Sequence, residues 1–177
     1  MTLRFTLDPE PTPALCAEIV ALWTDASNAG GAVGFVPPVT EEDVLPTALK
    51  QFAGLAADDP ERDRLLVARE GEGGRLVAVL FFENMRFGLM DHWRLLKRVM
   101  VAPACQGRGY GVRLLAEAER IARTWGLSGL RLTARGGMGL EAFYARCGYR
   151  EVGRVPGAIR VAPGDDRDDI TFWLELR

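Results

Sequence analysis

Val101-Ala102-Pro103-Ala104-Cys105-Gln106-Gly107-Arg108-Gly109-Tyr110-Gly111 decides how the rest of the chain is read. It follows a β-rich run, Trp93–Val101 (WRLLKRVMV), which Pro103 stops. It precedes a stretch whose apolar residues Leu114, Leu115, Ala118, Ile121 and Trp125 recur at helical spacing. Gly126 closes that helix. Glycines at 107, 109 and 111 let a strand-to-helix turn bring its backbone close to a ligand and aim successive N–H groups into one concavity. The helix N-terminus adds positive potential, and Arg108 adds a full charge. The segment is suited to a phosphate or pyrophosphate. No Gly-Lys-Ser/Thr follows, so it is not a P-loop. The dinucleotide fingerprint fails too, because its third glycine would fall on Val112.

Working outward, residues 2–7 alternate as a strand. Pro13 opens a helix that carries Leu15, Ile19, Leu22 and Trp23 on one face and ends near Asn28–Gly31. Residues 29–38 (AGGAVGFVPP) fit neither helix nor strand. Thr40 and Asp43 resemble a capping box for a second helix running to about Ala57, bent or interrupted at Pro46. Residues 64–69 and 75–83 flank a glycine cluster as a hairpin. Residues 129–134 are a strand and 139–147 a short helix. Residues 149–155 and 169–176 are the last strands, joined by an acidic, turn-rich loop. This order predicts one α+β domain over 1–177, with a mixed, strongly twisted central sheet flanked by helices.

With 177 residues, the chain can bury about 70% of its unfolded surface and needs no metal or disulfide staple. Its formal charge of -2 lacks the basic footprint of a nucleic-acid binder. No apolar run is long enough for a membrane span, and residues 1–13 lack the pattern of a signal peptide. Three scattered cysteines, Cys16, Cys105 and Cys147, make no disulfide framework. A cytoplasmic protein, monomeric or homodimeric, is expected, with no nucleic-acid or membrane partner and no metal.

Gln106-x-x-Gly109-x-Gly111 after Val-x-Pro resembles the acyl-CoA pyrophosphate loop of the GCN5-related N-acetyltransferases. Residues 139–149 (GLEAFYARCGY) resemble the closing helix of the same family, at the usual separation. Residues 29–36, Glu141–Tyr144 and the Val152-Gly153…Pro156-Gly157 ending are similar to the tabtoxin-resistance type, which acetylates a small amino-acid-like toxin. The resemblance implies the acyl-CoA N-acyltransferase (GNAT) fold, with acetyl-CoA as co-substrate and a small-molecule amine as acceptor. It implies that Val99, Met100 and Val101 run along the pantetheine arm, and that Gln106, Gly107, Arg108, Gly109, Tyr110, Gly111 and Val112 hold the pyrophosphate. It gives Tyr144 the role of acid at the departing CoA sulfur. A non-catalytic acyl-CoA-binding module and a protein N-terminal or lysine acetyltransferase are the alternatives.

Acetyl transfer needs a neutral amine, a polarised thioester and a stabilised leaving thiolate. A phenol's ordinary pKa near 10 is close enough to a thiol's, near 8.5, for proton transfer. The base is where the pattern breaks. The family's carboxylate positions fall on Leu95 and Thr133, and its asparagine on Gly137. Glu83, acting through water, and His92, the one histidine, are the candidates with Asp91 beside them; the third option is deprotonation by solvent. Trp93, on the strand face of Leu95, is a candidate wall for the acceptor. The aspartates 165, 166, 168 and 169 would either attract a cationic acceptor or form a solvated loop.

Overall fold

The computed structural model describes residues 2–55 and 61–176. Its elements are β1 (Leu3–Leu7), α1 (Pro13–Asn28), α2 (Glu41–Ala53), β2 (Arg64–Glu70), β3 (Leu76–Glu83), β4 (Trp93–Val101), α3 (Tyr110–Thr124), β5 (Gly129–Arg135), α4 (Leu140–Arg146), β6 (Arg150–Ala162) and β7 (Asp165–Glu175). The seven strands form one sheet in the order β1-β2-β3-β4-β5-β7-β6. All neighbours are antiparallel except β4 and β5, which are parallel because α3 carries the chain back across the sheet. The mixed sheet between helices is the α+β architecture expected.

β3 is the centre of the molecule. Its residues 76–82 (LVAVLFF) are all buried, a continuous apolar run of the kind a strand covered on both faces requires. Val77, Leu80 and Phe82 pack on the face of α3 and α4, whereas Leu76, Val79 and Phe81 pack beneath α1 and α2. The stripe Leu114, Leu115, Ala118 and Ile121 seats α3 on the first face, and Leu15, Ile19, Leu22 and Trp23 seat α1 on the second.

Three expectations change. The Thr40–Asp43 capping box is present, but α2 runs unbroken through Pro46 and ends at Ala53; Ala56 and Ala57 lie outside the described residues. Pro46 is exposed, so water can take the carbonyl that its missing N–H leaves free. The acidic stretch is not a loop: aspartates 165, 166, 168 and 169 lie within β7, in a long hairpin with β6. Three of them meet arginines, with Asp166–Arg160 at 2.6 Å, Asp168–Arg154 at 2.8 Å and Asp165 on Arg167. Their negative charge is answered within the hairpin rather than held out to a cationic ligand. No described helix is long and apolar enough to cross a membrane.

Candidate active site

The ladder between β4 and β5 is short. It pairs Trp93 with Gly129, Arg94 with Leu130 and Leu95 with Arg131, and then stops. Past Leu95 the ladder on the other side of β4 is irregular as well: Val79 faces Met100 and Phe81 faces Lys97, so the strand carries a bulge around Arg98. Arg98 has φ +53°. The main-chain groups of β4 turned toward β5 beyond this point need other partners.

A cleft of about 480 Å³ opens there. Val99, Met100 and Val101 of β4 line it, with Gln106, Gly107, Gly109, Tyr110, Gly111 and Val112 at the start of α3 and Leu140, Phe143, Tyr144 and Arg146 of α4. Ala26, Gly31, Ala32 and Val33 line its opposite side. These come from α1 and the loop after it, on the other face of the sheet. The cleft therefore joins the two faces.

At the head of α3 the N-cap is Gly109, with φ +76° and no capping side chain. The first-turn N–H groups have no partner within the helix, and their dipoles add up toward the cleft. A Cβ at Gly109 would meet nothing within 4 Å, so the space over the turn is open, but a side chain there would have to adopt the left-handed region. These features fit a phosphate-bearing ligand, and the free edge of β4 fits an amide-bearing arm such as pantetheine. Arg108 is the exception among the expected loop residues. It does not line the cleft but sits 3.4 Å from Glu70, which also accepts from the Tyr110 hydroxyl at 2.7 Å. Arg146, exposed on α4, is the cationic side chain on the lining; nothing in its motif singled it out.

Tyr144 lines the cleft from a buried position, among the rings of Phe143, Tyr149 and Phe172. Burial, with a smaller contribution from Cys147, pushes its pKa up to about 12. The phenol keeps its proton throughout the neutral range. Against a thiol of ordinary pKa 8.5, full proton transfer from this phenol runs uphill by about 5 kcal/mol in equal surroundings. The hydroxyl is therefore suited to donating a hydrogen bond rather than to surrendering its proton, which revises the expectation drawn from an ordinary phenol.

The candidate bases stand elsewhere. His92 is half exposed, 3.8 Å from Asp91, at the far end of β4 from Val99–Val101. Glu83 pairs with Lys97 at 3.0 Å and does not line the cleft. Trp93 is buried edge-on against Trp173, at 6.0 Å between ring centroids, and is not a cleft wall. Among the described residues, the cleft lining contains no carboxylate and no imidazole.

Residues 32–149 match the model of the acetyltransferase (GNAT) family. Solved structures share the whole architecture. One, provisionally named a phosphinothricin N-acetyltransferase, is 24% identical over 99% of each chain, with a TM-score of 0.80. A GCN5-related N-acetyltransferase from Kribbella flavida is 19% identical over 98% of each chain, at 0.76. A provisionally named acetyltransferase from Salmonella typhimurium, solved with its cofactor acetyl-CoA, is 18% identical over 99% of this chain and 94% of its own, at 0.72. At these identities the likeness is one of fold.

Proposed function

The chain belongs to the acetyltransferase (GNAT) family, whose model spans two thirds of it, and is thereby an acetyl-CoA-dependent acyltransferase; from that premise we propose that it moves acetyl to the amine of a small molecule by direct attack, with both substrates bound at once. The observation that carries this reading is the cleft itself. It has a phosphate-suited helix end and Tyr144 on one side of the β4–β5 opening, and a separate wall, Ala26 and Gly31–Val33, on the other.

Acetyl-CoA, when bound, supplies an activated thioester carbonyl. The first-turn amides of α3 and Arg146 hold its phosphates, and the unpaired edge of β4 at Val99–Val101 aligns its arm. Tyr144 donates a hydrogen bond to the departing sulfur; that bond strengthens as negative charge builds there, so it favours the transition state over the ground state. Holding the amine against the opening from the other face supplies the orientation that replaces a chance collision.

With no carboxylate or imidazole among the described residues of the lining, solvent deprotonates the amine. The transfer rate should then rise about tenfold per pH unit below the pKa of the amine in use, and the slope should be the same in His92→Ala and Glu83→Gln. A pH limb that disappears in either variant would assign that residue as the base.

The test is thiol release from acetyl-CoA across a panel of small amines, with the acetylated product measured by mass. Equal amounts of thiol and acetylated amine are expected. Acetyl-CoA binding without thiol release on any small amine, together with an acetyl mass gain on a co-purified protein, would move the activity to a protein acceptor.

A further inference from the structure

Arg98 belongs to one wall of the cleft by its backbone and to the other by its side chain. Its strand runs directly on into Val99, Met100 and Val101, which line the cleft from β4. The bulge carries its guanidinium onto α1, 4.7 Å above the Trp23 ring. There Nη1 donates to the Val33 carbonyl at 3.1 Å, and Val33 lines the cleft from the α1 side. The same carbonyl accepts from the Trp23 indole N–H at 2.8 Å, so both of its lone pairs are taken. The two bonds differ in what they tie. Trp23 lies on α1 and holds the loop to its own helix, whereas Arg98 holds the loop to β4. Gly34 packs against the guanidinium: it has φ +105°, and a Cβ there would lie 2.6 Å from Nη1.

Holding this contact carries two costs. Arg98 has φ +53°, a sparsely populated region for a residue with a side chain. Its Nε is buried with no hydrogen-bond partner, and burial pushes the guanidinium below the usual arginine pKa. An apolar side chain of the same length would fill the space without the buried charge, but it would have no donor for Val33.

We propose that Arg98 is a positioning residue for acetyl transfer, and that it fixes the Gly31–Val33 wall in register with the β4 edge, so that the amine meets the thioester at a set distance and angle. The proposal rests on the acetyl-transfer reading above. Arg98 stands behind the wall rather than on it, and acts through the Val33 carbonyl. Transfer is sensitive to such a tie, because a displacement of about 1 Å can cost about 10²-fold in rate.

The test uses the whole chain, acetyl-CoA and a small amine that wild type accepts. Arg98→Met keeps the length of the side chain and removes its donors. In that variant kcat/KM for the amine, at saturating acetyl-CoA, should fall about 10- to 100-fold, the scale of one hydrogen bond to a charged group. CoA should bind as it does to wild type. Arg98→Lys restores a charged donor without the planar stack and should recover part of the loss. Gly34→Ala crowds the same guanidinium and should reproduce the loss seen in Arg98→Met. Amide hydrogen exchange reads the wall without any acceptor: residues 29–34 should exchange faster in Arg98→Met, while the α3 turn keeps its wild-type rates. An unchanged kcat/KM in Arg98→Met, no recovery in Arg98→Lys, or a loss of CoA affinity equal to the loss in kcat/KM would each overturn the proposal. If Arg98→Met does not fold, Arg98→Lys and Gly34→Ala carry the comparison, and wild-type kcat/KM in both would overturn it. If wild type transfers acetyl to no small amine, the transfer reading fails on its own; faster exchange confined to residues 29–34 would then still support the tie between the walls, and unchanged exchange there would overturn it.

Discussion

The two walls of the cleft are built from different materials. On the α3–α4 side the working groups are main-chain amides at a helix end, shaped by glycines, and one buried hydroxyl. On the α1 side the lining is Ala26 and Gly31–Val33, held from behind by the Trp23 indole and by an arginine that reaches across from a bulged strand. Trp23 Nε1 and Arg98 Nη1 share the same Val33 carbonyl, at 2.8 and 3.1 Å, so this wall hangs on side-chain packing. A wall made of backbone suits a ligand that stays the same, because few substitutions can alter it. A wall made of side chains suits a ligand that varies, because one substitution changes its chemistry.

The sharpest break of that contrast is at Tyr144, the side chain proposed to meet the departing sulfur from the backbone wall. Tyr144→Phe keeps the ring packing and should leave CoA affinity unchanged. The single-turnover transfer rate should fall about 10²- to 10³-fold, the range typical of losing one hydrogen-bond donor aimed at developing negative charge. A wild-type rate would remove Tyr144 from the chemistry. Next is the turn itself. Gly109→Val forces a branched residue into φ +76° at the head of α3. Wild type should gain about 2.7 kcal/mol at 100 Kd of CoA, read as a rise in thermal midpoint, and the variant should show none. If the valine variant binds CoA as well as wild type does, the turn is only a turn. Smaller again is the arginine comparison: Arg146→Ala should weaken CoA by about tenfold. Arg108→Ala should weaken it less, because Glu70 already occupies that guanidinium. The reverse ranking would mean that Arg108 leaves Glu70 for the phosphates.

The smallest effect is on alkaline stability. Tyr144 has its folded pKa raised to about 12 against an ordinary 10, so its contribution is whole below pH 10 and is lost as pH climbs through 12. That contribution is about 3 kcal/mol at most. Tyr149 is also raised, chiefly by burial, and acts in the same direction. Tyr144→Phe should therefore unfold less steeply between pH 10 and 12 in denaturant titrations, and an unchanged slope would contradict the burial of its hydroxyl.

The same contrast explains what could be read from the sequence. Glycine spacing and helical periodicity are local signals, so the α3 turn, both flanking strands and α4 were legible from residues 93–149. The mixed sheet followed from the elements' alternation; the spatial order of its strands, with β7 between β5 and β6, did not. The bulge at Arg98 was not legible. Residues 93–101 contain no glycine or proline to mark it, and the contacts that accompany the left-handed turn, of the guanidinium with Trp23 and Val33, join positions distant in sequence. The acidic run misled in the opposite direction. Aspartate disfavours strands, so residues 165–169 suggested a loop, yet arginines across the hairpin, 160 and 154, hold them extended. Ion pairs between distant positions leave no periodic trace. Glu83 and His92 stood out as bases only by residue type; their distance from the cleft is a property of where β3 ends and β4 begins.

One measurement bears on the whole arrangement: initial rates with acetyl-CoA and an accepted amine varied together. Two walls on opposite faces of one opening predict that both substrates bind before either product leaves, giving double-reciprocal lines that intersect. Parallel lines, with acetyl retained on the protein after CoA departs, would contradict direct transfer across the β4–β5 gap.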